Sequence, residues 1–253
     1  MFKLIKYELR STFLTIIGIC ISVIFANLFL MTKKNSWDNE LIIGLSITLI
    51  IGALIVIFIS SLKIMSKYLH EDEGYLLFTL PKSGTSIITS RLITALIQTS
   101  IVAFVSLLLL YLTIPVEIDL SFLKDIKLSI ILFSIALPIW AIVSSLTFIY
   151  FCMVIGKVAL KGKKLGKIGS FIIFIIISGV TSWLSYKIGT IFPQTINLSG
   201  FSLGNNFRVS APGLALLGEV LNINIAQIIF EIVTFIGFFI SASYLIDNKL
   251  DLS

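Results

Sequence analysis

His70 is the one histidine of this chain, and Cys20 and Cys152 are its two cysteines. A zinc site needs three or four His, Cys or carboxylate ligands brought together. His70 lies in a charged loop, and both cysteines lie inside apolar runs. No Ser/His arrangement occurs, and no pair of glutamates falls inside an apolar segment, so nucleophilic, acid–base and zinc chemistry lack their groups. The cysteines have neither disulfide nor metal spacing and read as small buried hydrophobes. Lys161-Gly162-Lys163-Lys164-Leu165-Gly166-Lys167 is rich in glycine and lysine. It lacks the spacing and the hydroxyl of the phosphate-binding G-x-x-x-x-G-K-[ST] loop, and reads as a basic turn on anionic lipid headgroups. The expectation is a chain with no catalytic residues of its own, unable to bind and hydrolyse nucleotide alone.

Three polar residues inside apolar segments are the other chemically informative groups. Glu231 lies about two turns into the last apolar segment, where an isolated acid costs about 2.5–3.5 kcal/mol on insertion scales. It is expected to face a bundle interior or a cavity. Asn27 and Gln98 are its candidate partners, read as lying with it toward the outer halves of their segments. The three mark either a polar spot along a cargo path or ordinary interhelical hydrogen bonding. Pro138 is expected to kink the fourth apolar segment.

The elements that must position these groups are membrane spans. The 253 residues are 57% hydrophobic and only 13% charged, against about 25% charged in soluble domains. Six apolar segments reach the roughly 20 residues that cross a bilayer: 12–31, 41–62, 92–114, 128–155, 168–186 and 225–245. The first is too long for a signal-peptide core and has no small-residue cleavage site after it, so it reads as an anchor. Thirteen of the Lys and Arg residues fall on the side of the two termini and six on the other, which predicts cytoplasmic termini. The net charge of +6 does not point to nucleic acid, because most of the basic residues sit in short loops beside spans. The expected fold is an all-α integral membrane protein, with residues 1–253 forming one transmembrane domain.

Two connecting pieces carry more pattern than a connector needs. At the N-terminus Phe2, Ile5 and Leu9 share one helical stripe, with Lys3, Lys6 and Arg10 beside it. Such a segment suits an amphipathic helix in the plane of the interface, or a plain topology signal. The second loop, 63–91, is long for a connection between antiparallel helices, where about 2–8 residues are usual. Met65, Leu69, Leu76 and Leu80 keep a helical register, Gly74 interrupts it, and Pro81 ends it. Two short helical pieces are expected, bent at Gly74 with Glu71, Asp72 and Glu73 as a negative tip.

The run Glu73-Gly74-Tyr75-Leu76-Leu77-Phe78-Thr79-Leu80-Pro81, between spans two and three, resembles the permease subunits of ABC-2-type exporters of Gram-positive bacteria. The basic start Lys3-Leu4-Ile5-Lys6-Tyr7-Glu8-Leu9-Arg10 is similar to theirs as well. The likeness covers the six-span topology of the whole chain, while its specific motif covers about ten residues. Lys82-Ser83-Gly84 departs from the pattern, since a more apolar residue is expected after the proline.

The resemblance implies a coupling helix that docks in a groove of a cytosolic ATP-binding subunit. Tyr68, Glu71, Asp72, Glu73, Gly74, Tyr75, Phe78, Thr79, Leu80 and Pro81 become its candidate docking residues. Lys3, Lys6, Tyr7, Glu8 and Arg10 become an interfacial helix against membrane lipids. ATP and Mg would bind the partner ATPase, with no cofactor on this chain. One six-helix bundle would form half of a path, so a homodimer or a pair with a related permease is implied, in the plasma membrane of a Gram-positive bacterium. The family commonly carries re-entrant helices before the last span, and 211–221 is apolar enough for one. The sparse charge favours an amphiphilic or hydrophobic cargo: an antimicrobial peptide, a lipid-like compound or a drug. A non-transporting sensor or scaffold subunit would have a similar sequence.

Overall fold

The computed structural model describes residues 2–33, 36–70, 83–113, 128–159, 166–197, 202–204 and 222–248. The architecture there is six long helices and one small sheet: α1 Phe2–Thr32, α2 Asn39–His70, α3 Gly84–Thr113, α4 Leu128–Ala159, α5 Gly166–Ile191 and α6 Ile225–Asn248. The strands are β1 Thr195–Asn197, β2 Ser202–Gly204 and β3 Asn222–Asn224. All six helices are long and apolar enough to cross a membrane. Their outward surfaces agree with that solvent. Leu14 is 81% exposed, Phe104 69% and Phe171 62%, a distribution that water would penalise and lipid does not. The protein is a multi-pass membrane protein by these criteria.

The helices extend beyond the apolar windows read from sequence because hydrogen bonding continues through polar residues once a turn is formed. Lys3–Arg10 is the clearest case. These residues are the opening turns of α1 itself, one unbroken helix of 31 residues. The Phe2/Ile5/Leu9 stripe is not buried uniformly, since Ile5 is 8% exposed and Phe2 88%. Likewise 63–70 continues α2 and 84–91 opens α3. Residues 71–82 lie outside the described residues, and with them Glu71, Asp72, Glu73, Gly74, Tyr75, Phe78, Thr79, Leu80 and Pro81. The re-entrant helix expected at 211–221 also lies outside them.

Two compact units divide the chain, and each has its own core. In the first, α3 packs against both α1 and α2, which also pack on each other. Its core holds Ile16 and Val23 of α1, Ala53 and Ile57 of α2, and Val102 and Leu109 of α3. The spacing of seven on α1 and again on α3 keeps each pair on one helical face. Asp38 opens α2, its carbonyl accepting from Ile42 N–H at 3.2 Å. Ser83 opens α3 in the same way, its carbonyl accepting from Ile87 N–H at 3.2 Å.

In the second unit α4 packs against α5 and α6. Aromatic rings fill much of this contact. Phe238 of α6 lies 4.8 Å from Phe151 and 5.3 Å from Phe148, and Phe148 lies 5.3 Å from Phe174 of α5. Trp140 meets Phe235 at 5.1 Å. Pro138 sits inside α4, which runs through it as one element; its missing N–H leaves one carbonyl a turn earlier without a helical partner.

The sheet has the order β2-β1-β3, with Thr195 opposite Gly204 on one side and Asn224 on the other. Asn224 ties the sheet to both neighbouring helices. Its Oδ1 accepts from Gln227 N–H at 3.1 Å, capping α6, and its Nδ2 donates to the Phe192 carbonyl at 2.7 Å beyond the end of α5. Gln227 adds a bond from Nε2 to the Ser185 carbonyl at 3.2 Å. Asn224→Ala removes a buried cap and a buried donor together. The expected loss is about 1–2 kcal/mol of stability, measured by denaturant titration of the detergent-solubilised chain. Asn224→Asp keeps the cap acceptor, loses the donor to Phe192, and is expected to fall between.

Candidate functional site: a buried ionic cluster joining three helices

The first unit concentrates its polar chemistry at one end. On α1 the inward stripe runs Ile5, Glu8, Thr12, Ile16, and on α3 it runs Arg91, Thr94, Gln98, Val102. These spacings of three and four keep each set on one helical face. Thr94 Oγ donates to Glu8 Oε2 at 2.9 Å, and Gln98 Nε2 donates to Thr12 Oγ at 2.6 Å. Both bonds span 86 residues, so α1 and α3 run parallel in one register. Thr12 Oγ passes the chain on, donating to the Glu8 carbonyl at 3.0 Å.

Arg91 is the centre of the cluster. Its side chain is 4% exposed and that of Glu8 11%, and Arg91 Nη2 lies 3.5 Å from Glu8 Oε1. Arg91 Nη1 donates to the Ile64 carbonyl of α2 at 2.7 Å. The guanidinium carbon stands 4.8 Å over the ring of Tyr68. One planar cation thereby touches a carboxylate on α1, a main-chain carbonyl on α2 and an aromatic face on α2. A guanidinium suits this because its donors are fixed in a plane and it stacks on rings. An arginine in this environment needs a compensating charge within reach, and Glu8 provides it. Arg91 Nε and Gln98 Oε1 have no hydrogen-bond partner among the described residues.

The structure places the residues named from sequence unevenly. Tyr68, expected on a docking surface, is 2% exposed and forms part of the core beneath Arg91. The physical reason is that α2 continues as a helix through His70, so Tyr68 keeps the inward register of Met65 and Leu69, at 0% and 3% exposure. Glu8 belongs to the buried cluster, whereas Lys3, Lys6, Tyr7 and Arg10 are exposed on α1. Gln98, midway along α3, donates to Thr12 of α1. Asn27 is 1% exposed and donates from Nδ2 to the Val23 carbonyl of its own helix at 3.0 Å. Glu231 is exposed on α6, in the second unit.

Arg91, Thr94 and Thr12 are the residues that sequence reasoning misses as a site. A signal is present, because Arg91, Thr94 and Gln98 sit at i, i+3 and i+7 on the face of a span. By charge counting alone, Arg91 registers only as a topology signal. Comparison with protein families, with curated proteins and with solved structures finds no match to this chain.

Proposed function

We propose that this chain is the membrane subunit of an ATP-driven exporter, working with a separate cytosolic ATPase that binds ATP and Mg. The observation that supports the reading best is positional. The run Glu73–Pro81, which resembles the docking element of ABC-2-type permeases, falls between α2 and α3. A partner that gripped it would act on two spans at once. In this reading ATP binding draws the docking segments together, and paired six-helix subunits, identical or related, rearrange about a shared interface. The termini are cytoplasmic, and the membrane is the plasma membrane of a Gram-positive bacterium. The cargo is hydrophobic or amphiphilic, an antimicrobial peptide, a lipid-like compound or a drug, and self-protection against such a peptide is the preferred role. The apolar spans with few charges support that cargo class.

The test is a mild-detergent pull-down of the tagged chain from its native membrane. A stoichiometric soluble ATPase is the expected companion. A clean chain without one, reproduced under crosslinking, would leave a sensor or scaffold subunit as the better reading. Glu73→Lys combined with Gly74→Pro is then expected to abolish peptide or drug resistance at unchanged membrane insertion. Full resistance in that variant at equal expression would refute the docking role.

A further inference from the structure

We propose that the Glu8–Arg91 pair makes the opening turns of α1 a third arm of the coupling device, and that Arg91 is its positioning residue. The proposal rests on the exporter reading for its functional half and on geometry for the rest. Tyr68 and Arg91 stand on the helices at either side of residues 71–82, three residues before that stretch and nine after it. Arg91 binds both the α2 backbone at Ile64 and the α1 carboxylate at Glu8, so the three helix ends share one cation. Thr94 and Gln98 repeat the tie between α1 and α3 over the next two turns. Side chains this buried do not slide continuously past one another. A displacement applied to α2 and α3 at this end therefore carries α1 with it.

A polar cluster is an inefficient way to gain stability alone, since a buried ion pair is often matched by apolar side chains of similar volume. Its use here is directional. The carboxylate on α1 accepts from Thr94 and faces Arg91, which fixes the rotation and register of α1 against α3. An apolar contact would define both less sharply. The N-terminal segment thus transmits force within the three-helix unit, a role distinct from an interfacial helix floating on lipid.

The test uses the full chain in lipid nanodiscs, with Cys20 and Cys152 replaced by Ala and spin labels at Lys6→Cys and Thr85→Cys, both exposed positions. The unaltered cluster is expected to give one narrow distance peak between α1 and α3. Glu8→Gln and Arg91→Gln each broaden it, and the double variant is no broader than the wider single one, because one interaction is lost once. Broadening that adds in the double variant, or no broadening at all, overturns the clamp.

The second readout is the complex purified with its ATPase. In Glu8→Gln, hydrolysis stays near the wild-type rate while cargo efflux falls about tenfold, within the range for residues that carry coupling between sites. Equal loss of both makes the pair a packing feature and overturns the coupling role. A chain that never yields an ATPase overturns the exporter reading and the functional half with it, while the label distances still decide the clamp.

Discussion

Arg91→Ala destabilises the folded chain by about 3–5 kcal/mol, the largest effect expected from any single side chain of the first unit. The loss has three parts. The Ile64 carbonyl loses a donor held at 2.7 Å, the Tyr68 ring loses its stacked cation, and Glu8 remains largely buried without its counter-charge. The last dominates, because a carboxylate in a low-dielectric site without a partner is far costlier than a missing neutral hydrogen bond. A specific pattern separates this account from simple cavity formation. Arg91→Met alone is expected to cost nearly as much as Arg91→Ala. Arg91→Met combined with Glu8→Met recovers about 2 kcal/mol or more, since removing both charges removes the burial cost. Arg91→Lys falls between, because one ammonium cannot reach the carboxylate and the carbonyl while stacking on the ring. Reversible denaturant unfolding in mixed micelles measures all four variants. A double variant no more stable than Arg91→Met would show that the cluster acts through packed volume and not through charge.

Gly156→Ala separates α4 from α5 and costs about 1–3 kcal/mol, the usual range for overpacking a tight contact. A β-carbon at position 156 would stand 2.8 Å from the α-carbon of Ser170 and collide with its Oγ. The hydroxyl can rotate away, but the α-carbon cannot move without α5. Ser170→Gly in the same chain therefore restores only part of the loss. Gly156→Val extends the effect, adding two methyl groups where one already fails to fit. The same unfolding assay reads these changes, and Gly179→Ala, with open space around its β-carbon, serves as the neutral control. An equal cost at 156 and 179 would show that the penalty belongs to the backbone and not to the helix contact. Gly156 carries no sequence signal that distinguishes it from Gly179, since both are glycines in apolar helices.

The spans are legible in the sequence because their cause is local. Each apolar run has enough transfer free energy to be read along the chain without knowing its neighbours, and six helices stand over the six windows. Helix ends are less legible. Hydropathy starts α1 at Thr12 and stops α2 at Leu62, where charge appears, yet Lys3–Arg10 and Lys63–His70 are helical, because polar residues near a membrane surface keep their backbone bonds. Tyr68 illustrates the consequence of a misplaced end: a residue set in a loop becomes a core residue when the helix, and so its register, continues.

Sequence by itself determined the apolar solvent of this protein's long helices and the six spans that the described residues carry. Only the tertiary structure decided which polar residues meet. Glu8 and Thr94, and Thr12 and Gln98, are each 86 residues apart, and nothing in either segment names the other. Their meeting depends on the rotation and register of two helices, set by seven-residue packing at Ile16, Val23, Val102 and Leu109. The parallel register of α1 and α3 sets Gln98 beside Thr12, a pairing that polarity along the chain does not name. Partition into the bilayer is additive along a chain, whereas side-chain pairing is a property of surfaces that exist only after the helices have packed.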